Sequence, residues 1–328
     1  MRRRALGRTG MEVGELSLGG LFVAGWFGDR ERARAAVRRA VDLGVNYVDT
    51  APGYGDSEAV LGEALDGVEA PVILSTKLGG RPTPFDPQDR DALLRSFDES
   101  LRLLRRDRVD ILMVHEPDRP DQYDWWTDRQ RYLGPVCDVL DELKRAGRVG
   151  FTGLGGTTAY EIVPIMRTGR FDVLLTAFNY SLLWREAAIA AIPAAVEMGM
   201  GIVVGSPLQQ GALARRYDEE VERGAPWLSP PRRAQYRALY AYLDETGLPI
   251  VEAALRFVLS DARISCTLMG ARSAEEVEQN AAWAARGPLP AEVLARLDAI
   301  AAMVPFRPFE EPFGLPFGRE RAGPAMAR

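Results

Sequence analysis

Four ionisable side chains lie at or just after the ends of short apolar segments. Asp49 follows Asn-Tyr-Val, Lys77 and His115 each end an aliphatic run, and Tyr54 lies five residues beyond Asp49. A lysine that ends an apolar strand is costly unless it has a partner, and Asp49 is the available one. An ammonium beside a phenol lowers the phenol pKa from about 10, which makes Tyr54 a competent proton donor. With His115 orienting a substrate oxygen, these groups predict proton delivery to a carbonyl.

Each of these residues alone has an ordinary structural explanation. Asp49 suits a turn, Lys77 can extend out of a rim, Tyr54 can pack, and His115 can be a hydrogen-bonded core residue. All four, however, are predicted at the same end of adjacent strands. That coincidence favours a functional site.

The composition excludes several other classes of protein and site. The proportions of 47% hydrophobic and 27% charged residues indicate a globular chain and exclude disorder, a collagen-like repeat and a coiled coil. A net charge of −5 without a long basic block argues against nucleic acid as the main partner. Two cysteines and one histidine exclude a disulfide framework and leave no basis for a metal site. No stretch reaches the roughly 18 apolar residues of a membrane span, so we expect a cytoplasmic protein without membrane contact.

Short apolar segments alternate with helical patterns along the chain. The predicted strands are 15–18, 45–49, 72–77, 109–115, 149–154, 172–177, 201–205 and 266–270. The predicted helices are 30–43, 57–65, 91–104, 134–146, 187–198, 232–245 and 251–259. Eight buried parallel strands predict an α/β fold, a (β/α)8 TIM barrel, over residues 1–305. An open doubly wound sheet would carry a GxGxxG turn after its first strand, and Gly19-Gly20-Leu21 does not continue that way.

Other segments lie outside the alternation or are long loops. Residues 1–14 predict a β-hairpin that caps the barrel floor, with Gly7 and Gly10 flanking its turn. The tail 306–328 is rich in Pro and Phe and is predicted to be a strap over the barrel mouth or a partly disordered end. The loops 78–90, 116–133 and 206–231 follow strands and are expected to build the substrate pocket.

Three motifs resemble the aldo-keto reductase superfamily. They are the run Asp49-Thr50-Ala51-Pro52-Gly53-Tyr54-Gly55-Asp56-Ser57-Glu58, then Ser75-Thr76-Lys77, then Val114-His115. The segment 6–13 is similar to the N-terminal hairpin of that family, and the resemblance spans residues 4 to about 285. It implies a barrel that binds a nicotinamide dinucleotide and transfers hydride between the cofactor and a carbonyl or alcohol carbon. It also implies that Tyr54 is the general acid/base, that Lys77 and Asp49 tune its pKa, and that His115 orients the carbonyl.

The resemblance also suggests how the cofactor is held. The segment 270–280 is similar to the part of the family that binds the adenosine end, and 206–213 is similar to the loop that covers the pyrophosphate. Arg272 can pair with a 2′-phosphate, whereas the charge of Glu276 would repel it, and on balance we expect NADP(H) rather than NAD(H). The expected cofactor contacts are Gly20, Asn179, Ser206, Leu208, Gln210, Gly211, Gly270, Arg272, Ser273, Glu276 and Asn280.

Small residues replace the usual nicotinamide contacts of the family. Gly155-Gly156 occupies the position of a Ser-Asn pair in the family, Ala177 that of a Gln, and Gly205 that of an aromatic residue. We therefore expect Asn179 or backbone groups to hold the ring. The replacements resemble the branch of sugar dehydrogenases that act on fucose, galactose or D-threo-aldoses.

The substrate is expected to be a small carbonyl compound or a sugar. Phe22, Trp26, Trp125 and Trp126 are predicted to wall the pocket, although Trp125 and Trp126 can equally anchor their own loop. Two other functions stay open: a cofactor-binding regulatory or redox-sensing subunit with little turnover, and a phosphate-handling barrel such as an isomerase. The phosphate-handling function would give Tyr54, Lys77 and His115 no role.

Overall fold

A closed barrel of eight parallel strands forms the centre of the molecule. The computed structural model describes residues 1–224 and 228–306. The barrel strands are β3 (Leu16–Gly19), β4 (Tyr47–Asp49), β5 (Ile73–Leu78), β6 (Val109–His115), β7 (Val149–Gly156), β8 (Val173–Ala177), β9 (Gly201–Gly205) and β10 (Cys266–Met269). Each strand pairs with the next in chain order, and β10 closes the barrel by pairing with both β9 and β3. The predicted (β/α)8 barrel is confirmed.

An antiparallel hairpin covers the N-terminal end of the barrel, as predicted. Its strands are β1 (Arg3–Ala5) and β2 (Glu12–Gly14), and they pair with Arg3 opposite Gly14. Gly7 in the connecting turn has φ +53°, and a Cβ there would lie 2.1 Å from the backbone nitrogen of Gly201 at the start of β9. Only glycine allows the hairpin to approach the barrel this closely.

Helices surround the barrel. They are α1 (Arg30–Asp42), α2 (Ser57–Ala64), α3 (Arg90–Leu104), α4 (Pro135–Arg145), α5 (Ile162–Met166), α6 (Ala191–Glu197), α7 (Asp218–Arg223), α8 (Pro230–Thr246), α9 (Ile250–Ser260), α10 (Ala274–Ala285) and α11 (Ala291–Ala301). The first of them shows why they form: the side chain of Asp29 accepts a hydrogen bond from the backbone of Arg32 as an N-cap, and one apolar face is buried. Helix α7 lies within 206–231, which the sequence predicts as a loop.

Two apolar cores result from this arrangement. The larger one lies between the barrel and the helices, and a smaller one fills the barrel interior. The interior core includes Leu6 and Val13 of the hairpin region at the bottom, and Ile111 and Met113 of β6 higher up. Ionisable side chains are buried at the C-terminal ends of the strands, among them Asp49, Lys77 and His115. The fold therefore places the ionisable groups above a rigid apolar floor.

The end of the chain lies mostly beyond the described residues. Of the predicted tail 306–328, only Phe306 is described, so the strap over the barrel mouth stays a prediction. Among the helices of residues 1–224 and 228–306, none has the length and apolar character needed to cross a membrane.

Candidate active site

A cavity of about 330 Å³ opens at the C-terminal ends of the strands. The four predicted catalytic residues line it together: Asp49, Tyr54, Lys77 and His115. They reach it from three neighbouring strand ends, because β4, β5 and β6 pair in register and Tyr54 lies in the turn after β4. The cavity is of the size that small-molecule sites occupy.

Asp49 and Lys77 form a buried ion pair whose hydrogen bonds are satisfied. The Lys77 Nζ lies 2.6 Å from Oδ2 of Asp49 and donates to the carbonyl of Thr50 at 2.7 Å. The Ser75 hydroxyl donates to the other carboxylate oxygen at 2.6 Å. Burial lowers the pKa of Lys77, but Asp49 and Tyr54 together raise this pKa above its ordinary value. Lys77 therefore remains a cation inside the barrel.

Tyr54 lies against both Lys77 and His115. The Lys77 Nζ is 5.0 Å from the centre of the Tyr54 ring, and the rings of Tyr54 and His115 meet edge to face at 5.7 Å. Burial raises the pKa of the Tyr54 phenol, and the charge of Lys77 lowers it by a smaller amount. The net pKa shift is upward, opposite to the direction that the sequence predicts, because the buried position of the phenol outweighs the ammonium.

His115 is a neutral imidazole in this environment. Burial, and then the charge of Lys77, lower the pKa of His115 to about 3. Its Nδ1 is buried and has no hydrogen-bond partner among the described residues. The indole of Trp125 donates a 3.0 Å hydrogen bond to the backbone carbonyl of His115, which fixes the end of β6. His115 therefore can donate a hydrogen bond to a substrate oxygen without carrying a charge.

Glu116 and Thr157 are polar residues that line the cavity and that the sequence does not predict as site residues. Glu116 is 4% exposed, its Oε2 has no partner, and burial raises its pKa to about 7. Thr157 is equally buried, and its hydroxyl also has no partner among the described residues. The signal that identifies them is their position: Glu116 directly follows β6 and Thr157 directly follows β7. Side chains after barrel strands converge on one site.

Most of the predicted cofactor residues line the same cavity, and two do not. Those that line it are Gly20, Ser206, Leu208, Gln210, Gly211, Gly270, Arg272, Glu276 and Asn280. Ser273 is instead the N-cap of α10, where its hydroxyl accepts a hydrogen bond from the backbone of Glu276. The amide of Asn179 donates 2.8 Å hydrogen bonds to the carbonyls of Thr157 and Ala177. The Nδ2 group of Asn179 thus joins two strand ends, and the expectation that Asn179 or backbone groups hold the nicotinamide ring stays a prediction.

The residues around the cavity fit a dinucleotide. Ser206, Gln209 and Gln210 all have φ near +50°, a conformation that non-glycine residues rarely adopt outside functional sites. The Gln210 Oε1 is buried without a partner in the described structure. The N-terminus of α10 and the guanidinium of Arg272 provide groups that favour phosphate. Arg272 is already paired with Glu276 at 2.7 Å.

Packing explains the two glycines at the end of β7. A Cβ at Gly155 would lie 3.3 Å from Cε of Lys77, and one at Gly156 would lie 2.9 Å from Cδ1 of Ile162 and 3.1 Å from Oδ2 of Asp118. A larger side chain at Gly156 would have to displace a core residue and a carboxylate that is already hydrogen-bonded.

The four predicted pocket aromatics divide into two groups. Phe22 lines the cavity, and Trp26 is half-exposed beside it, with its ring packed on Gly55. Trp125 and Trp126 are buried, and their indoles donate 3.0 Å hydrogen bonds to the carbonyls of His115 and Pro117. Neither tryptophan is among the residues that line the cavity, and both anchor their own loop, which is the alternative that the sequence leaves open.

Comparisons with known proteins agree with this geometry. The sequence pattern of the Aldo/keto reductase family matches residues 15–302. L-galactose dehydrogenase of Arabidopsis thaliana is 31% identical over 295 residues, which cover 85% of this chain and 86% of the relative. Pyridoxal 4-dehydrogenase of Microbacterium luteolum is 30% identical (86% and 92% covered), and D-threo-aldose 1-dehydrogenase of a Pseudomonas species is 29% identical (89% and 93%).

A solved structure extends the likeness to the whole barrel. Aldo-keto reductase AKR11C1 from Bacillus halodurans, in its holo form, is 25% identical and superposes with a TM-score of 0.76 over 95% of this chain and 99% of the other. The barrel, the family match and the relatives agree with one another. The chain therefore belongs to the aldo/keto reductase family.

Proposed function

We propose that the protein is an NAD(P)(H)-dependent oxidoreductase that interconverts a carbonyl and an alcohol, with Tyr54 as general acid/base. The observation that carries this proposal is that Tyr54, Lys77 and His115 share one cavity above the apolar barrel core. The bound nicotinamide would supply or accept the hydride. The chain then has to bind the carbonyl, orient it and exchange one proton with its oxygen.

The proton is exchanged by the Tyr54 hydroxyl. Because burial holds the pKa of Tyr54 above its ordinary value, the phenol is protonated at neutral pH and ready to donate in the reductive direction. The Lys77 ammonium, fixed by Asp49, stabilises the phenolate that the donation leaves behind. The same ammonium makes removal of the phenol proton less costly in the oxidative direction.

Neutral His115 and Thr157 complete the polar contacts of the site. His115 donates to the substrate oxygen and cannot compete as a proton source, because its pKa of about 3 leaves it unprotonated near neutrality. The free hydroxyl of Thr157 is the group that we assign to the nicotinamide carboxamide, in place of Asn179. Its position directly after Gly156 supports this assignment.

Arg272 and Glu276 would decide the form of the cofactor. We propose that Arg272 gives a preference for NADP(H) and that Glu276 limits it, since a 2′-phosphate would lie beside a carboxylate that already pairs with the guanidinium. Titration of NADP(H) and NAD(H) into the protein and two variants tests this. We expect Arg272→Ala to move the affinity ratio toward NAD(H) and Glu276→Gln to move it toward NADP(H), each by about tenfold. An unchanged ratio in Arg272→Ala would refute the preference.

The test of the overall function is a turnover assay. The protein is mixed with NADPH or NADH and a panel of aldehydes and aldoses, and the absorbance of the reduced cofactor is followed. We expect consumption that depends on the carbonyl compound. Tight cofactor binding with no turnover across the panel would instead support the regulatory or redox-sensing alternative.

A further inference from the structure

Glu116 is held in an unusual backbone conformation at the edge of the cavity. Its φ is +49°, in the left-handed region that non-glycine residues rarely occupy. Its N–H donates a 2.8 Å hydrogen bond to the carbonyl of Gly155, so the pairing of β6 and β7 continues into this residue and fixes it. Such conformations persist where the surroundings enforce them, and they concentrate at functional sites.

Glu116 and Asp118 are two buried carboxylates in the loop after β6, and they differ in what their oxygens contact. Two residues later, Oδ2 of Asp118 accepts hydrogen bonds from both the N–H and the hydroxyl of Thr158, at 2.7 and 2.6 Å, and from the N–H of Thr157 at 2.9 Å. Glu116 is as deeply buried as Asp118, and each has one carboxylate oxygen without a donor in the described structure, Oε2 of Glu116 and Oδ1 of Asp118. Of these two residues, only Glu116 lines the cavity. A buried carboxylate oxygen without a donor is costly, and a ligand hydroxyl would satisfy it.

Glu116 lines the same cavity as Tyr54, Lys77 and His115. The charge of its carboxylate raises the pKa of Tyr54. The pKa of Glu116 is in turn lowered by the charges of Arg119 and Lys77 and raised by that of Asp118, in addition to the larger effect of burial. The remaining groups nearby are the neutral His115 directly before it in sequence and the Tyr123 phenol. A carbonyl compound that contacts Tyr54 and His115 therefore brings its neighbouring substituents toward Glu116.

We propose that Glu116 is a specificity-determining residue whose free carboxylate oxygen accepts a hydrogen bond from a hydroxyl group next to the reacting carbonyl. The substrate class is then hydroxyaldehydes and hydroxyketones rather than simple aldehydes. This inference rests on the carbonyl reduction proposed above. The step involves only binding, and the proton and hydride transfers are those already described.

The experiment compares glycolaldehyde with acetaldehyde, which differ by one hydroxyl group. The ratio of their kcat/KM values is measured for the wild-type protein and for Glu116→Met, which removes the acceptor and retains a similar length. We expect the ratio to fall by about 10- to 100-fold, because Glu116→Met loses a hydrogen bond to a charged group that glycolaldehyde makes and acetaldehyde cannot make. Glu197→Gln, an exposed carboxylate at the end of α6, is the matched control and should change neither value.

Glu116→Gln supplies a second readout that does not depend on how well Glu116→Met folds. Since burial raises the pKa of Glu116 to about 7, the wild-type ratio should rise as the pH increases through this value. In Glu116→Gln, which cannot ionise, the ratio should be independent of pH.

Each possible outcome either supports or overturns the role proposed for Glu116. An equal loss with both aldehydes in Glu116→Met, with the pH dependence unchanged in Glu116→Gln, would mean a structural role and would overturn the inference. Unchanged values with both aldehydes would also overturn it. If the wild-type protein reduces neither these aldehydes nor any other carbonyl compound, the proposed function itself fails, and that result differs from the other two.

Discussion

The buried carboxyl group of Glu116, whose Oε2 has no donor among the described residues, leads to a quantitative prediction about stability. Its pKa is 4.5 when it is exposed and about 7 in the folded protein, with burial as the main cause. Between these pH values the carboxyl group is protonated in the folded protein and ionised in the unfolded chain, so folding takes up a proton. The free energy of unfolding therefore decreases as the pH rises from 4.5 through about 7. At about 1.4 kcal/mol per pKa unit, the ionised group destabilises the folded protein by about 3 kcal/mol above pH 7.

Glu116→Gln removes this titration and keeps the shape of the side chain. The free energy of unfolding of the variant, relative to wild type, should therefore increase by about 3 kcal/mol between pH 4.5 and pH 8. Urea unfolding at several pH values measures this difference. A difference between Glu116→Gln and wild type that does not vary with pH would refute the reasoning. A residue that costs stability in this way is expected at a binding site.

Two further predictions concern the structure that positions the site. Lys77→Met leaves the Asp49 carboxylate buried without its cation, so the free energy of unfolding measured in urea should fall by about 3–5 kcal/mol. A decrease of less than about 1 kcal/mol would contradict the buried ion pair. Gly7→Ala places a Cβ 2.1 Å from the Gly201 nitrogen and should destabilise the protein by several kcal/mol. Gly10→Ala, at a φ of +75° but with no atom within 4 Å, should cost only about 1 kcal/mol. Equal losses of stability in thermal unfolding would contradict the close approach of the hairpin to β9.

The barrel and the catalytic group could be predicted because both depend on local patterns. Aliphatic runs define the strands, and parallel strands bring their C-terminal ends together, so Asp49, Lys77 and His115 had to converge. Helix α7 was missed because its first turn consists of three acidic residues and only Val221 of its side chains is buried. A charged first turn without an apolar face does not differ in sequence from a loop.

The contacts that the sequence does not reveal depend on side-chain direction and on burial. Nothing in the sequence shows that the indoles of Trp125 and Trp126 turn toward backbone carbonyls of their own loop. Likewise, the amide of Asn179 finds two carbonyls that only the folded strand ends bring together. The pKa of Tyr54 was predicted in the wrong direction because the ammonium partner is evident from sequence motifs, whereas the extent of burial is not.

We propose that the Tyr54 hydroxyl exchanges the proton with the substrate oxygen. The most direct measurement is the rate of cofactor oxidation in a single turnover by Tyr54→Phe, with cofactor affinity measured on the same sample. We predict a rate lower by about 10²- to 10⁴-fold, with a cofactor Kd within about twofold of wild type, because the ring remains and only the donor is lost. A rate within a few-fold of the wild-type value would contradict the account.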